Sequence, residues 1–178
     1  MNDLTTYRIH LVTAKTRTEL RGERLSEPTR RSLVTVASLW PKKGANLGTL
    51  LRTVDAVGSQ LVVPRTALAT KALRKGNTIG YHPSLFYYTN EEPLSWLAAH
   101  PTYRKVAVEL AHGATPLADL KPATDPTILI LGHEVTGVPA DVLAACDEVV
   151  EIPMSGVGNS LNVAVAASLV LYKLEGLV

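Results

Sequence analysis

The sequence predicts an α/β fold built on a parallel sheet, and three features point there. Short β-branched or apolar runs alternate with segments of helical periodicity along most of the chain. One run, Thr127-Ile128-Leu129-Ile130-Leu131, is apolar from its second residue on, as expected of a strand covered by helices on both faces of a parallel sheet. Near the end, Val149-Val150-Glu151-Ile152 stops at Pro153, passes a loop with Gly156 and Gly158, and enters a helix of Ala and Val. At 178 residues and 46% hydrophobic, the chain buries a full core as a single domain.

Taken in order, Leu33 to Trp40 forms the first strand, ended by Pro41. Leu47, Leu50, Leu51, Val54 and Val57 then fall on one face of an amphipathic helix, with Asn46 as its N-cap and Gly58 as its stop. Gln60 to Pro64 is the second strand. A helix follows from Ala67 to Leu73, with Lys71, Arg74 and Lys75 around its end and a turn at Gly76-Asn77. Leu85 to Tyr88 makes the third strand, Leu94 to Ala99 a short helix, and Val106 to Leu110 the fourth strand. Pro116, Pro122 and Pro126 mark 111–126 as loop. After Thr127 to Leu131 come a short helix over Asp141 to Cys146 and a sixth strand, Glu148 to Ile152. The last helix covers 161–172, with Ser160 and Asn162 at its first turn, and its apolar residues occupy most of the circumference, which calls for burial on more than one side.

Composition narrows the function classes. The single cysteine, Cys146, excludes an internal disulfide and a cysteine-based metal cluster, and points to a reducing compartment. The longest strongly apolar stretch, Val163 to Tyr172, is short of the ~20 residues that cross a bilayer. The N-terminus lacks a signal-peptide core. A cytoplasmic protein, not associated with membranes, is expected. Net charge is only +2, but residues 1–43 hold nine Lys/Arg against four acids, while 44–178 hold nine against twelve. A basic extension, 1–31, with one apolar patch at Ile9 to Val12, thus precedes a mildly acidic body; it suits a phosphate backbone or is simply a solvated arm. Tyr81, His82, Tyr87 and Tyr88 are candidates for base stacking or for packing.

Three stretches carry possible chemistry. In Asn46-Leu47-Gly48-Thr49-Leu50-Leu51-Arg52, Gly48 and Arg52 are surface neighbours, leaving space beside a guanidinium that either serves a ligand or pairs with Asp55. Gly132-His133-Glu134-Val135-Thr136-Gly137-Val138 follows the apolar strand directly, where ligands sit in parallel sheets; Glu134 is a site acid or a helix-cap acid. His133-Glu134 lacks a second histidine four residues on, so a zinc protease site is excluded and no metal is expected. In Ile152-Pro153-Met154-Ser155-Gly156-Val157-Gly158-Asn159-Ser160-Leu161-Asn162-Val163, the loop is either a ligand cradle at a helix start or a Ser-capped turn. No Gly-x-Gly-x-x-Gly follows the first strand, which lowers a dinucleotide-binding oxidoreductase and an ordinary Rossmann-type methyltransferase.

In this order, the three stretches resemble the three signatures of the SpoU (TrmH-like) branch of the SPOUT RNA methyltransferases; His133 stands where asparagine is frequent. The resemblance implies that 32–178 is a SPOUT catalytic domain, a parallel-sheet α/β fold whose C-terminal segment is threaded as a deep trefoil knot, and a homodimer with a site shared between subunits. It implies transfer of the methyl group of S-adenosylmethionine to a ribose 2′-hydroxyl of RNA. Arg52 then stands at the target ribose, with Asn46, Glu134, Ser160 and Asn162 shaping the catalytic pocket. Leu131, Gly132, Ile152, Met154, Gly156, Ser160 and Leu161 then form the cofactor site. The extension before the first strand is too short for a separate RNA-binding domain, which favours tRNA over ribosomal RNA as substrate. The alternatives are an rRNA methyltransferase and a non-catalytic dimeric RNA- or cofactor-binding relative.

Overall fold

A computed structural model describes residues 32–76, 85–158 and 160–178, all within one compact unit, Arg31–Val178. The basic extension 1–31 with its Ile9 to Val12 patch, together with Tyr81, His82 and Asn159, lies outside the described residues.

Among the described residues seven strands form one sheet: β1 (Val34–Ser38), β2 (Gln60–Pro64), β3 (Phe86–Thr89), β4 (Arg104–Val108), β5 (Thr115–Pro116), β6 (Thr127–Leu131) and β7 (Glu148–Glu151). Their spatial order is β3-β2-β1-β6-β4-β7-β5, and every pairing is parallel. Strand β6, apolar from its second residue on, lies in the middle, registered Val36 to Leu129 against β1 and Val106 to Leu129 against β4. All five of its residues are buried, because helices cover both faces.

Alternation along the strands sorts the core into two layers. Val34, Val36, Leu61, Val63, Val106, Leu129 and Leu131 face one side, packed with α1 (Gly44–Val57), α2 (Ala67–Gly76) and α5 (Val163–Leu174). Ala37, Val62, Ala107, Ile128 and Ile130 face the other, under Trp96 and Leu97 of α3 (Pro93–Ala98) and Val142 of α4 (Ala140–Ala144). In α1, Leu47, Leu50, Leu51 and Val54 are buried as their spacing predicts. Each fully buried leucine of this kind contributes about 1.5–3 kcal/mol. Gly58 ends α1 in the left-handed region, φ 72°, where its N–H reaches the carbonyls of Val54 and Asp55.

Four local expectations are corrected. Helix α1 starts two residues before Asn46, with Lys43 at the cap position and no side-chain cap; Asn46 is inside the first turn and buried, because its amide is drawn to distant partners. Ser160 precedes α5, and Asn162 is the N-cap, its Oδ1 accepting from Ala164 and Val165 N–H. Strand β4 runs from Arg104 to Val108: its charged start is retained by pairing with β6 and by an Arg104–Glu148 ion pair to β7. The proline-rich stretch 111–126 contributes the two-residue edge strand β5, held by pairing with β7.

Strand order reverses between neighbours β1 and β6. The chain leaves β1 outward to β2, and leaves β6 the other way, past β4 to β7. Such a reversal opens a crevice at the carboxyl ends of the two strands. After β7 the chain returns so that α5 lies beside α1 and over β1, β6 and β4.

Candidate active site

The crevice is lined by the segments that leave β1, β4, β6 and β7. It forms a cleft of about 880 Å³, within the range of small-molecule sites. Of the residues proposed from sequence, Asn46, Leu131, Gly132, Glu134, Ile152, Met154, Gly156, Ser160, Leu161 and Asn162 all line it. Arg52 does not.

A single hydrogen-bond chain ties the three signature stretches together. Glu134 accepts from the backbone N–H of Lys42 at 2.8 Å and of Lys43 at 2.9 Å, and from Asn46 Nδ2 at 2.9 Å. Asn46 Oδ1 accepts from Asn162 Nδ2 at 3.0 Å, and Asn162 Oδ1 caps α5. Glu134 therefore does serve the start of a helix, but that of α1, 88 residues away in sequence. Burial pushes its carboxyl up, but the hydrogen bonds from Lys43, its own N–H, Asn46 and Lys42 outweigh this and hold its pKa below the ordinary value. Glu134 is a fixed anion at neutral pH, and an acceptor already committed to the chain.

The turn carrying Glu134 is rigid for local reasons. His133 and Gly137 exchange backbone hydrogen bonds, both at 2.9 Å. A Cβ on Gly132 would stand 2.6 Å from the carbonyl carbon of Gly137, so only glycine fits. Gly137 has φ 70°, and a Cβ there would collide with the Glu109 carboxylate. His133 Nδ1 accepts from the N–H groups of Val135 and Thr136, both at 3.2 Å, which fixes the Nε2–H tautomer.

Glu109 is a cleft residue that the sequence reading missed. It follows β4 directly, accepts from Val138 N–H at 2.7 Å and from Leu110 N–H at 3.0 Å, and so braces the Glu134 turn. Its position at the carboxyl end of a strand in a parallel sheet was the available signal.

Arg52 lies instead on the exposed side of α1, in an open groove between α1 and α5 lined by Ala45, Gly48, Thr49, Thr53 and Ser168. Thr53 and Ser168 hydroxyls meet at 3.0 Å across the two helices. Among the described residues Arg52 has no ion-pair partner, so the pairing with Asp55 is not formed. On the same side of the molecule, Val165 and Leu169 of α5 are 47% and 42% exposed. The glycines of the 153–158 loop are not demanded by the chain itself: a Cβ on Gly156 would meet nothing within 4 Å. The cysteine is inert. Burial and the neighbouring Asp147 raise Cys146 to about 11, leaving a neutral thiol whose Sγ points to the Val142 carbonyl.

The model of the SpoU rRNA Methylase family matches residues 34–172, from β1 into the last turns of α5 and across all three signature stretches. The chain belongs to the SpoU methylase family. Among SpoU relatives, a tRNA (guanosine(18)-2'-O)-methyltransferase from Thermus thermophilus is 31% identical over 169 residues, covering 89% of this chain and 84% of that protein. Another of the same description from Aquifex aeolicus is 31% identical over 137 residues, 75% of this chain and 64% of that protein. The chain spans between about half and two thirds of the length of the first curated relatives it matches. The fold agrees with the SpoU neighbours. The A. aeolicus TrmH/SpoU tRNA modifying enzyme has a TM-score of 0.70 at 26% identity, over 89% of this chain and 82% of that one. The SpoU methyltransferase AviRb from Streptomyces viridochromogenes, in complex with AdoMet, has 0.59 at 25% identity, over 87% and 63%.

Proposed function

We propose that the protein transfers the methyl group of S-adenosylmethionine to a ribose 2′-hydroxyl of RNA, with tRNA as the substrate. The observation that carries this reading is the single cleft in which the three signature stretches meet, joined by the Glu134–Asn46–Asn162 hydrogen bonds. The tRNA 2'-O-methyltransferase relatives and the AdoMet complex of AviRb support the reaction and the cofactor.

The cleft suits the cofactor chemically. Leu131, Val150, Ile152 and Leu161 offer apolar walls to a flat base, and the carboxylates of Glu109, Glu134 and Glu151 give an environment favourable to a sulfonium and an ammonium group. When bound, S-adenosylmethionine supplies an electrophilic methyl group on a positively charged sulfur. The chain supplies position: Gly156 leaves the backbone open, and Gly132, Met154, Ser160 and Leu161 border the ligand space.

Arg52 is assigned to the ribose. A guanidinium is a poor proton acceptor, so its contribution is to orient the ribose or its flanking phosphate and to stabilise developing charge. Because Arg52 lines a groove apart from its own cleft, it serves the cleft of a second copy in a homodimer. The exposed Val165 and Leu169 support an α1/α5 face that is covered by that copy. The C-terminal trefoil knot belongs to the same proposal, supported by the return of α5 across β6 and β4. Among the described residues no helix is long and apolar enough to cross a membrane, and cytoplasmic residence follows from an RNA substrate.

The test is methyl transfer from labelled S-adenosylmethionine to unmodified tRNA and rRNA, followed by nucleoside analysis. A 2′-O-methylnucleoside from tRNA is expected. Label confined to rRNA moves the substrate to the alternative that the family's description carries; label on a base, or on neither RNA, overturns the reaction.

A further inference from the structure

The fold separates charge in a way that an overall +2 conceals. Residues 32–90 hold seven cations, Lys42, Lys43, Arg52, Arg65, Lys71, Arg74 and Lys75, against one acid, Asp55. Residues 91–178 hold four cations and eleven acids. Since β3, β2 and β1 occupy one side of the sheet and β4, β7 and β5 the other, the cations of the first segment gather on one flank, with Glu91 and Glu92 following β3 there, while Asp119, Asp147, Glu148 and Glu151 lie on the other. The body is not uniformly acidic. It has a basic flank and an acidic flank, and the cleft lies at the boundary.

Within the basic flank the charge concentrates on α2, which carries no acid at all. Lys71, Arg74 and Lys75 are exposed, and among the described residues none of them forms an ion pair. Helix α2 abuts the start of α1, where a Cβ on Gly44 would sit 2.8 Å from that of Ala72. Lys71 and Lys75 flank Ala72, and Lys43, next to Gly44, lines the cleft. A band of cations thus runs from α2 through Lys42 and Lys43 to the mouth of the cleft. Unpaired, like-charged side chains repel one another in the absence of an anionic partner. The acidic flank, with Asp119, Asp147, Glu148 and Glu151, repels the same partner.

We propose that the exposed face of α2, continued by Lys42 and Lys43, is the surface along which the phosphate backbone of the RNA lies when its ribose enters the cleft, and that the β4-β7-β5 flank faces away from the RNA. The proposal rests on the RNA-methyltransferase reading. It assigns the three cations of α2 to phosphate contacts, which give affinity and orientation without reading sequence.

The test uses the full chain with Lys71→Gln, Arg74→Gln and Lys75→Gln combined, and Lys121→Gln, an exposed cation beyond β5, as the comparison. Affinity for unmodified tRNA is measured across a salt series, and S-adenosylmethionine affinity by calorimetry. Each phosphate contact contributes about 0.7–0.9 to the slope of log affinity against log salt. The triple variant is expected to lose about 2–3 from that slope and tenfold or more in RNA affinity, with cofactor affinity within twofold of wild type, and Lys121→Gln to bind RNA within twofold of wild type. Wild-type affinity and slope in the triple variant overturn the proposal, as does an equal loss in Lys121→Gln. A wild-type protein that neither binds nor methylates RNA overturns the functional reading itself, a failure visible before any substitution is made.

Discussion

The cleft at the ends of β1 and β6 and the groove between α1 and α5 share one helix and differ in completeness. In the cleft, polar groups find partners within the chain: Glu134 has three donors, Asn46 bonds on both sides, and Asn162 both caps α5 and donates to Asn46. In the groove, Arg52 stands exposed beside Gly48, with apolar Val165 and Leu169 on the neighbouring helix. One region is finished by its own chain. The other presents an exposed cation and exposed apolar side chains, the features on which the proposed second copy rests.

The largest effect should come from Arg52. Arg52→Ala is expected to reduce methyl transfer about 10²–10³-fold, the usual consequence of removing one charge-stabilising donor, while calorimetry finds cofactor affinity within twofold of wild type. Loss of cofactor binding in that variant would erase the distinction between cleft and groove. Next comes Glu134→Gln, which leaves one acceptor oxygen and turns an amide toward N–H donors. A stability loss of about 1–2 kcal/mol is expected, modest because the carboxylate is only partly buried, read as a lower midpoint in thermal unfolding. The pH dependence sharpens this: the folded-state pKa of Glu134 lies below its ordinary 4.5, so the stabilisation is fully present above that value and fades as pH falls through the folded pKa. The gap between wild type and Glu134→Gln should therefore close on acidification. An unchanged gap at pH 3 would assign the loss to packing instead. The smallest effect is on association: Leu169→Asp should weaken self-association about fivefold, about 1 kcal/mol, by analytical ultracentrifugation. A wild-type protein that sediments as a monomer would leave the groove without the partner assigned to it.

Much of this architecture is legible in the sequence where local pattern and tertiary environment agree. The apolar run to Leu131 reads as a central strand because both faces of β6 are covered, and the leucines of α1 show their face because one side of that helix is buried. Asn46 was misread for the opposite reason. A capping residue is defined by its next turn, whereas Asn46 answers to Glu134 and to Asn162, 116 residues away. Strand β5 could not be read at all, since Thr115-Pro116 has no strand character and exists through its pairing with β7. At the site, glycines and polar residues in short loops named the cleft, but they could not say that Arg52 lies outside it, because a helix position does not reveal which cavity a side chain lines once other helices have packed.

The chain from Glu134 through Asn46 to Asn162 also has a meaning in time. Its three members leave the ribosome in the order Asn46, Glu134, Asn162, and the bond from Asn162 to Asn46 closes it. A nascent protein that has already laid down β1 and β6 still has an amide oxygen of Asn46 facing water and no cap for α5. Its cleft acquires its shape only with the last helix, which also brings Ala164, Ala167, Val170, Leu171 and Leu174 to the core over the sheet.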